Sequence, residues 1–113
     1  MKQLLPLLLI LCVPLMGADK DKPLPKDFKS LKALAEKGDA KAQHNLGFMY
    51  YKGQGMEQNY ATAYVWWDIA AANGHASAKK NKGIIAKAMA PGQIAKAQEL
   101  SKEMVKKNPK LLK

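Results

Sequence analysis

The chain has 113 residues, enough for one small domain. It is 48% hydrophobic and 25% charged, which argues against a wholly disordered chain and against a polytopic membrane protein. Its 19 basic residues are all lysine and face nine acids, for a net charge of +10. The single cysteine, Cys12, excludes an internal disulfide and a four-cysteine zinc site.

Lys2 supplies a positive start, and Leu4 to Met16 form an apolar run of thirteen residues. Such a run is too short for a spanning helix but suits a signal-peptide core, so residues 1–18 read as a signal peptide cleaved after Ala18. A lipidated Cys12 and an uncleaved anchor are the other options for this segment. Residues 19–27, with Pro23 and Pro25, read as an extended leader. Asp27 is a candidate N-cap for a helix over 28–37, with Leu31, Leu34 and Ala35 on one face and Gly38 as its stop. Asp39 can cap a second helix over 40–52, with Ala42, Leu46, Met49 and Tyr50 inward. Gly53-Gln54-Gly55 ends that helix.

Asn59 can cap a third helix over 60–73. This helix is apolar nearly all round, including Val65, Trp66, Trp67 and Ile69, so it must lie between others. A fourth helix is expected over about 76–89 and a fifth over 92–107, with Ile94, Ala97, Leu100, Met104 and Val105 inward. Asn108-Pro109 ends the fifth. No stretch sustains the period-two alternation of a strand. Residues 28–108 therefore read as a helical domain, followed by a basic tail over 109–113.

A shift of 36 residues places Ala35 on Ala71, Gly38 on Gly74 and Ala40 on Ala76. It also places Ala42 on Ala78, Asn45 on Asn81 and Gly47 on Gly83. The matches fall on small residues where helices end or cross, so each unit is a helical hairpin that must stack on its neighbours.

The run Gly38-x-Ala40-x-Ala42-Gln43-x-x-Leu46-Gly47-x-Met49-Tyr50-x-x-Gly53-x-Gly55 resembles the Sel-one-like repeat family, relatives of the tetratricopeptide repeat. The resemblance continues through Gln58-Asn59-Tyr60-x-x-Ala63-x-x-Trp66-Trp67-x-x-Ala70-Ala71-x-x-Gly74-His75. It covers one complete repeat between a preceding and a following half repeat. Residues 91–100 resemble the capping helix of bacterial members. Lys82-Gly83 replaces the usual Leu-Gly, and Ala90 replaces the usual Ser or Thr cap, which predicts a frayed start to the last helix. The resemblance implies an all-α fold, a short right-handed solenoid of antiparallel helical hairpins. It would contain about one and a half to two repeats plus a capping helix, and it would scaffold protein–protein contacts without a reaction.

In such an array the first helix of each hairpin lines the concave face. Lys41, His44, Phe48 and Tyr51 recur at helical spacing opposite Leu46, Gly47 and Tyr50. The 36-residue shift adds Lys80, Ile84 and Lys87. These seven residues form the expected partner-binding stripe, aromatic in the middle and basic at both sides. Phe48 and Tyr51 could equally pack against the N-terminal or capping helix. Trp66 and Trp67 read as core, and His44 and His75 as ordinary helix-surface or helix-end histidines, with no metal or other cofactor expected. Gly53-x-Gly55 follows a helix and lacks a following Lys-Ser or Lys-Thr, so it is not a phosphate loop. No nucleophile–base pair stands out among Ser30, Ser77, Ser101 and the acids, and no enzyme is expected.

Residues 19–75 carry eight lysines and seven acids, whereas residues 76–113 carry ten lysines and two acids. The positive surplus therefore sits in the last third of the chain, where it would attract an acidic protein or peptide or anionic lipid. Export and the absence of Arg argue against nucleic acid. The expected function is a non-catalytic interaction module of a bacterial envelope, periplasmic or secreted. The alternatives are an immunity or inhibitor protein for a secreted toxin or enzyme, and a peripheral binder of anionic membranes through the basic C-terminal helices.

Overall fold

The structure, a computed structural model, describes residues 23–113. The signal-peptide and cleavage expectations lie outside the described residues. Among these residues there are five helices and no strand: α1 (Phe28–Glu36), α2 (Ala40–Lys52), α3 (Tyr60–Ala72), α4 (Ala76–Ala86) and α5 (Pro91–Lys107). A 3-10 turn over Pro109–Leu111 follows α5.

Each of the first four helices begins where a side chain can accept a free backbone N–H. Asp27 Oδ2 accepts from Ser30 N at 2.8 Å, and Asp39 Oδ1 from Ala42 N at 2.9 Å. Asn59 Oδ1 accepts from Thr62 N at 3.0 Å, and His75 Nδ1 from Ala78 N at 3.2 Å. These bonds satisfy donors that an α-helix leaves without partners. Helix α2 ends on Gly53 in the left-handed region, and Gly38 and Gly74 make the two hairpin-to-hairpin turns with φ of 99° and 89°.

Helix α3 is the centre of the molecule and packs against α2, α4 and α5. Ala63, Tyr64, Val65, Trp66, Trp67, Ile69 and Ala70 are all buried on it, as its all-round apolar sequence requires. Leu31 and Ala35 of α1, Ala42 and Leu46 of α2, and Ala78 and Ile85 of α4 complete the layers around it. Trp66 and Trp67 are 3% and 2% exposed, so neither offers a free face to a ligand. Removing a core Trp ring costs about 3–5 kcal/mol, a large share of a small domain's stability. The observed architecture is the expected all-α stack of helical hairpins.

Three expectations change. Helix α4 stops at Ala86, three residues early. There the Lys87, Ala88 and Met89 N–H groups donate to carbonyls three residues back, which tightens the chain and turns Met89 into the core. The last helix begins at Pro91, one residue earlier than expected. Its start is held because Gln93 Oε1 accepts from Ala90 N at 2.9 Å. Leu100 points outward, 42% exposed, while Ala97 and Ser101 take the buried positions of α5.

The segment expected as a basic tail is docked. Leu111 is 2% exposed, and its carbonyl accepts from Gln43 Nε2 at 3.0 Å and from Asn73 Nδ2 at 2.8 Å. Gln43, fully buried, also donates to Ala35 O and accepts from Asn73 Nδ2. Lys113 N donates to Asn73 Oδ1, and Asn108 Nδ2 donates to Glu36 O. The chain end thus straps the bases of both hairpins together, with its lysine side chains at 110 and 113 left outside.

Candidate protein-interaction face

Helices α2 and α4 are the first helices of successive hairpins, and three side chains tie them together. His44 and His75 stack with ring centroids 4.4 Å apart at 23°. Asn81 Nδ2 lies 3.0 Å from His44 Nε2 and donates to the unprotonated ring nitrogen. Burial, helped by the neighbouring His75, holds the His44 imidazole below its ordinary range. His75 caps α4 in the register where Asp39 caps α2, a role the 36-residue shift could have revealed.

The residues expected to bind a partner divide into two groups. His44 and Tyr51 are half-buried members of an aromatic row. The Tyr51 ring stacks on Tyr60 at 5.4 Å and tilts against Trp67 at 5.7 Å. The Phe48 ring meets Trp67 edge-on at 5.3 Å and His44 at 5.0 Å. The row rests on the indole of Trp67, whose Nε1 donates to His44 O at 3.0 Å. His44 and Tyr51 therefore stiffen the face more than they project from it. Lys41, Lys80, Ile84 and Lys87 are exposed, Ile84 by 54%. Phe48 is half-buried and open on one side, with Lys52 Nζ 5.6 Å from its ring centroid.

A shallow groove of about 550 Å³ opens beside Phe48. Lys41, Asn45, Phe48 and Met49 of α2 form one wall, and Leu31 of α1 contributes to the lining. The leader contributes Leu24, Pro25 and Lys26, and Gln54 of the loop after α2 also lines the cavity. The sequence reading placed Lys41 and Phe48 on the face but missed the leader, Asn45, Met49 and Gln54. The alternation of Pro23 and Pro25 with Leu24 was the available signal, because it marks an extended strip with one apolar side chain to bury.

Charge is sorted by helix. Helices α2 and α4 contain no acid, while Lys41, Lys52, Lys79, Lys80 and Lys82 all lie on them. Of these, Lys82 bonds Asp68 of α3 at 2.9 Å. The acids of the described chain lie on helix caps, on α1, α3 and α5, and in the loop before α3. Among the described residues no group of three His, Cys, Asp or Glu side chains could hold a metal ion, and no helix is long and apolar enough to cross a membrane.

The family model of the Sel1 repeat matches residues 40–75, the span of α2, α3 and their following turn. A crystal structure of a protective antigen from uropathogenic Escherichia coli, described as displaying an SLR fold, superposes with a TM-score of 0.68 at 29% identity. The match covers 81% of this chain and 21% of that one. An ERAD-associated E3 ubiquitin-protein ligase component of Arabidopsis thaliana, HRD3B, is 40% identical over 50 residues, which is 43% of this chain and 8% of the plant protein. The chain thus spans a small part of either protein's length.

Proposed function

We propose that this chain, which belongs to the Sel1-like repeat family, is a non-catalytic module that binds an acidic protein or peptide across the concave face of α2 and α4. Sel1-repeat proteins generally mediate protein–protein interaction. The observation that carries the reading for this chain is the sorting of charge. The two helices that would form such a face hold no carboxylate, and their exposed residues combine Lys41 and Lys80 with Ile84 and the open side of Phe48, with Lys87 exposed just past the end of α4. A basic rim steers an acidic partner, and the apolar centre supplies contact area. No pair of groups on the face has the arrangement of a nucleophile and its base. The signal peptide expected over residues 1–18 would deliver the module outside the bacterial cytoplasm, where an envelope protein or a secreted toxin or enzyme is its partner.

The test is affinity capture from envelope extract with the full chain as bait, read by mass spectrometry. The variant Lys80→Glu/Ile84→Ser/Lys87→Glu should lose the partner, and the variant Lys102→Glu/Lys106→Glu should keep it. A partner held equally by both variants would overturn the concave-face reading.

A second reading rests on a separate observation. Ile84, Leu100 and Leu112, exposed by 54%, 42% and 40%, all fall in the lysine-rich span 76–113. Basic surface studded with apolar side chains suits anionic lipid, so retention of the chain by phosphatidylserine vesicles, weakening as salt rises, would favour membrane docking over the protein partner.

A further inference from the structure

The groove beside Phe48 follows from the repeat itself. In the second unit, Asn81 faces the preceding first helix and meets His44 at 3.0 Å. Asn45 stands in the same register one unit earlier, 36 residues back, but no first helix precedes α2 among the described residues. Among the described residues the leader lies along that side of α2, and a groove of about 550 Å³ opens between them. The leader is a prepared wall. Pro23 and Pro25 restrict its backbone, and Leu24 packs half-buried against the core.

The chemistry of the lining points to one kind of occupant. The side chains of Leu24, Leu31, Phe48 and Met49 supply apolar surface of a size suited to one or two bulky side chains. Lys26 of the leader and Lys41 of α2 both line the groove and stand exposed, and neither pairs with a carboxylate among the described residues. Among the described residues no acid lines the groove. Asn45 and Gln54 add amides that can both donate to and accept from a peptide backbone. A bilayer surface cannot enter a recess bounded by the leader on one side and α2 on the other, whereas a peptide can.

We infer that the groove between the leader and α2 takes a short acidic segment of a partner, with one bulky apolar side chain seated on Phe48 and flanking carboxylates held by Lys26 and Lys41. The inference rests on the reading of α2 as a partner-binding helix and locates its contact on the side away from α4. It makes the leader a functional part of the site instead of a spacer.

The probe is a fluorescein-labelled octapeptide, Glu-Asp-Glu-Leu-Phe-Glu-Asp-Glu, titrated into the full chain and followed by anisotropy. Lys26→Glu and Lys41→Glu should each weaken binding by about tenfold, as expected for losing a charge-assisted contact and adding a repulsive one. Lys102→Glu, the same charge change on α5, should change it by less than about twofold if attraction is local to the groove. Replacing the peptide's Leu-Phe by Ala-Ala should abolish measurable binding. A Lys-substituted peptide should bind the Lys26→Glu/Lys41→Glu chain better than the wild type. Equal weakening by all three Glu variants, or no binding of the octapeptide to the wild type, would overturn the inference. A captured partner that is lost with Lys80→Glu/Ile84→Ser/Lys87→Glu yet kept by Lys26→Glu would overturn it while leaving the broader concave-face reading standing.

Discussion

Gly47 and Gly83 share a register in the 36-residue period but meet opposite surroundings. A Cβ on Gly47 would lie 2.5 Å from Trp67 Nε1 and 2.6 Å from its Cδ1. That ring cannot move aside cheaply, since it is buried, bonded to His44 O and packed by Phe48 and Tyr51. A Cβ on Gly83 would meet nothing within 4 Å. Gly47→Ala should therefore destabilise the protein by about 1–3 kcal/mol through overpacking. Gly83→Ala should stabilise it by about 0.5–1 kcal/mol, the helix-interior cost of glycine. Urea midpoints of the two variants should move in opposite directions. The buried amide of Gln43 is a second residue-scale case. Gln43→Leu would remove the buried amide's bonds to Ala35 O, Leu111 O and Asn73 Nδ2, for a loss of about 1–3 kcal/mol in the same assay.

At the scale of elements, the seam between α2 and α4 is sensitive to acid. His44 has its half-buried imidazole packed by Phe48, Trp67 and His75, with Asn81 opposite, and the charged residues of its own and the facing helix are lysines. Burial and the neighbouring His75 disfavour the proton, against a smaller opposing pull from the Asn45 side chain. Because the folded imidazole sits below its unfolded value of about 6.5, the unfolded chain binds the proton first. The seam's contribution is complete above that value and is lost as pH falls from it toward the folded value. Thermal midpoints should drop between pH 7.5 and pH 5, and His44→Gln should flatten that dependence. The same pair shows where sequence reading ends. The caps Asp27, Asp39 and Asn59 and the stop at Gly53 are local rules, so α1 to α3 could be placed from the residues alone. His44 and His75 lie 31 residues apart, and only the stacking of two hairpins brings their rings together. The leader's place in the groove has the same character: its extended form is written in its prolines, whereas its seat beside α2 depends on how α1 and α2 pack.

At the scale of the whole molecule, one structural choice sets this chain apart from a plain stack of hairpins. In such a stack each unit touches only the next, so units can open one after another from either end. Here Gln43 reaches Leu111 across 68 residues, and Asn108 reaches Glu36 across 72. The closing turn thereby makes α1 and α2 depend on the last residues of the chain, and fraying at either end must break bonds held at the other. The protein should unfold in a single cooperative step, with amide exchange in α1 and α5 governed by the same global opening. A chain ending at Lys107 should lose that coupling, its urea transition broadening and its α1 amides exchanging well ahead of those in α3. Forming the contacts also requires closing a long loop late in folding, so the intact chain should fold more slowly than its helix content alone would suggest. The strap joins elements far apart in the sequence, and turns a sum of local stabilities into a shared one.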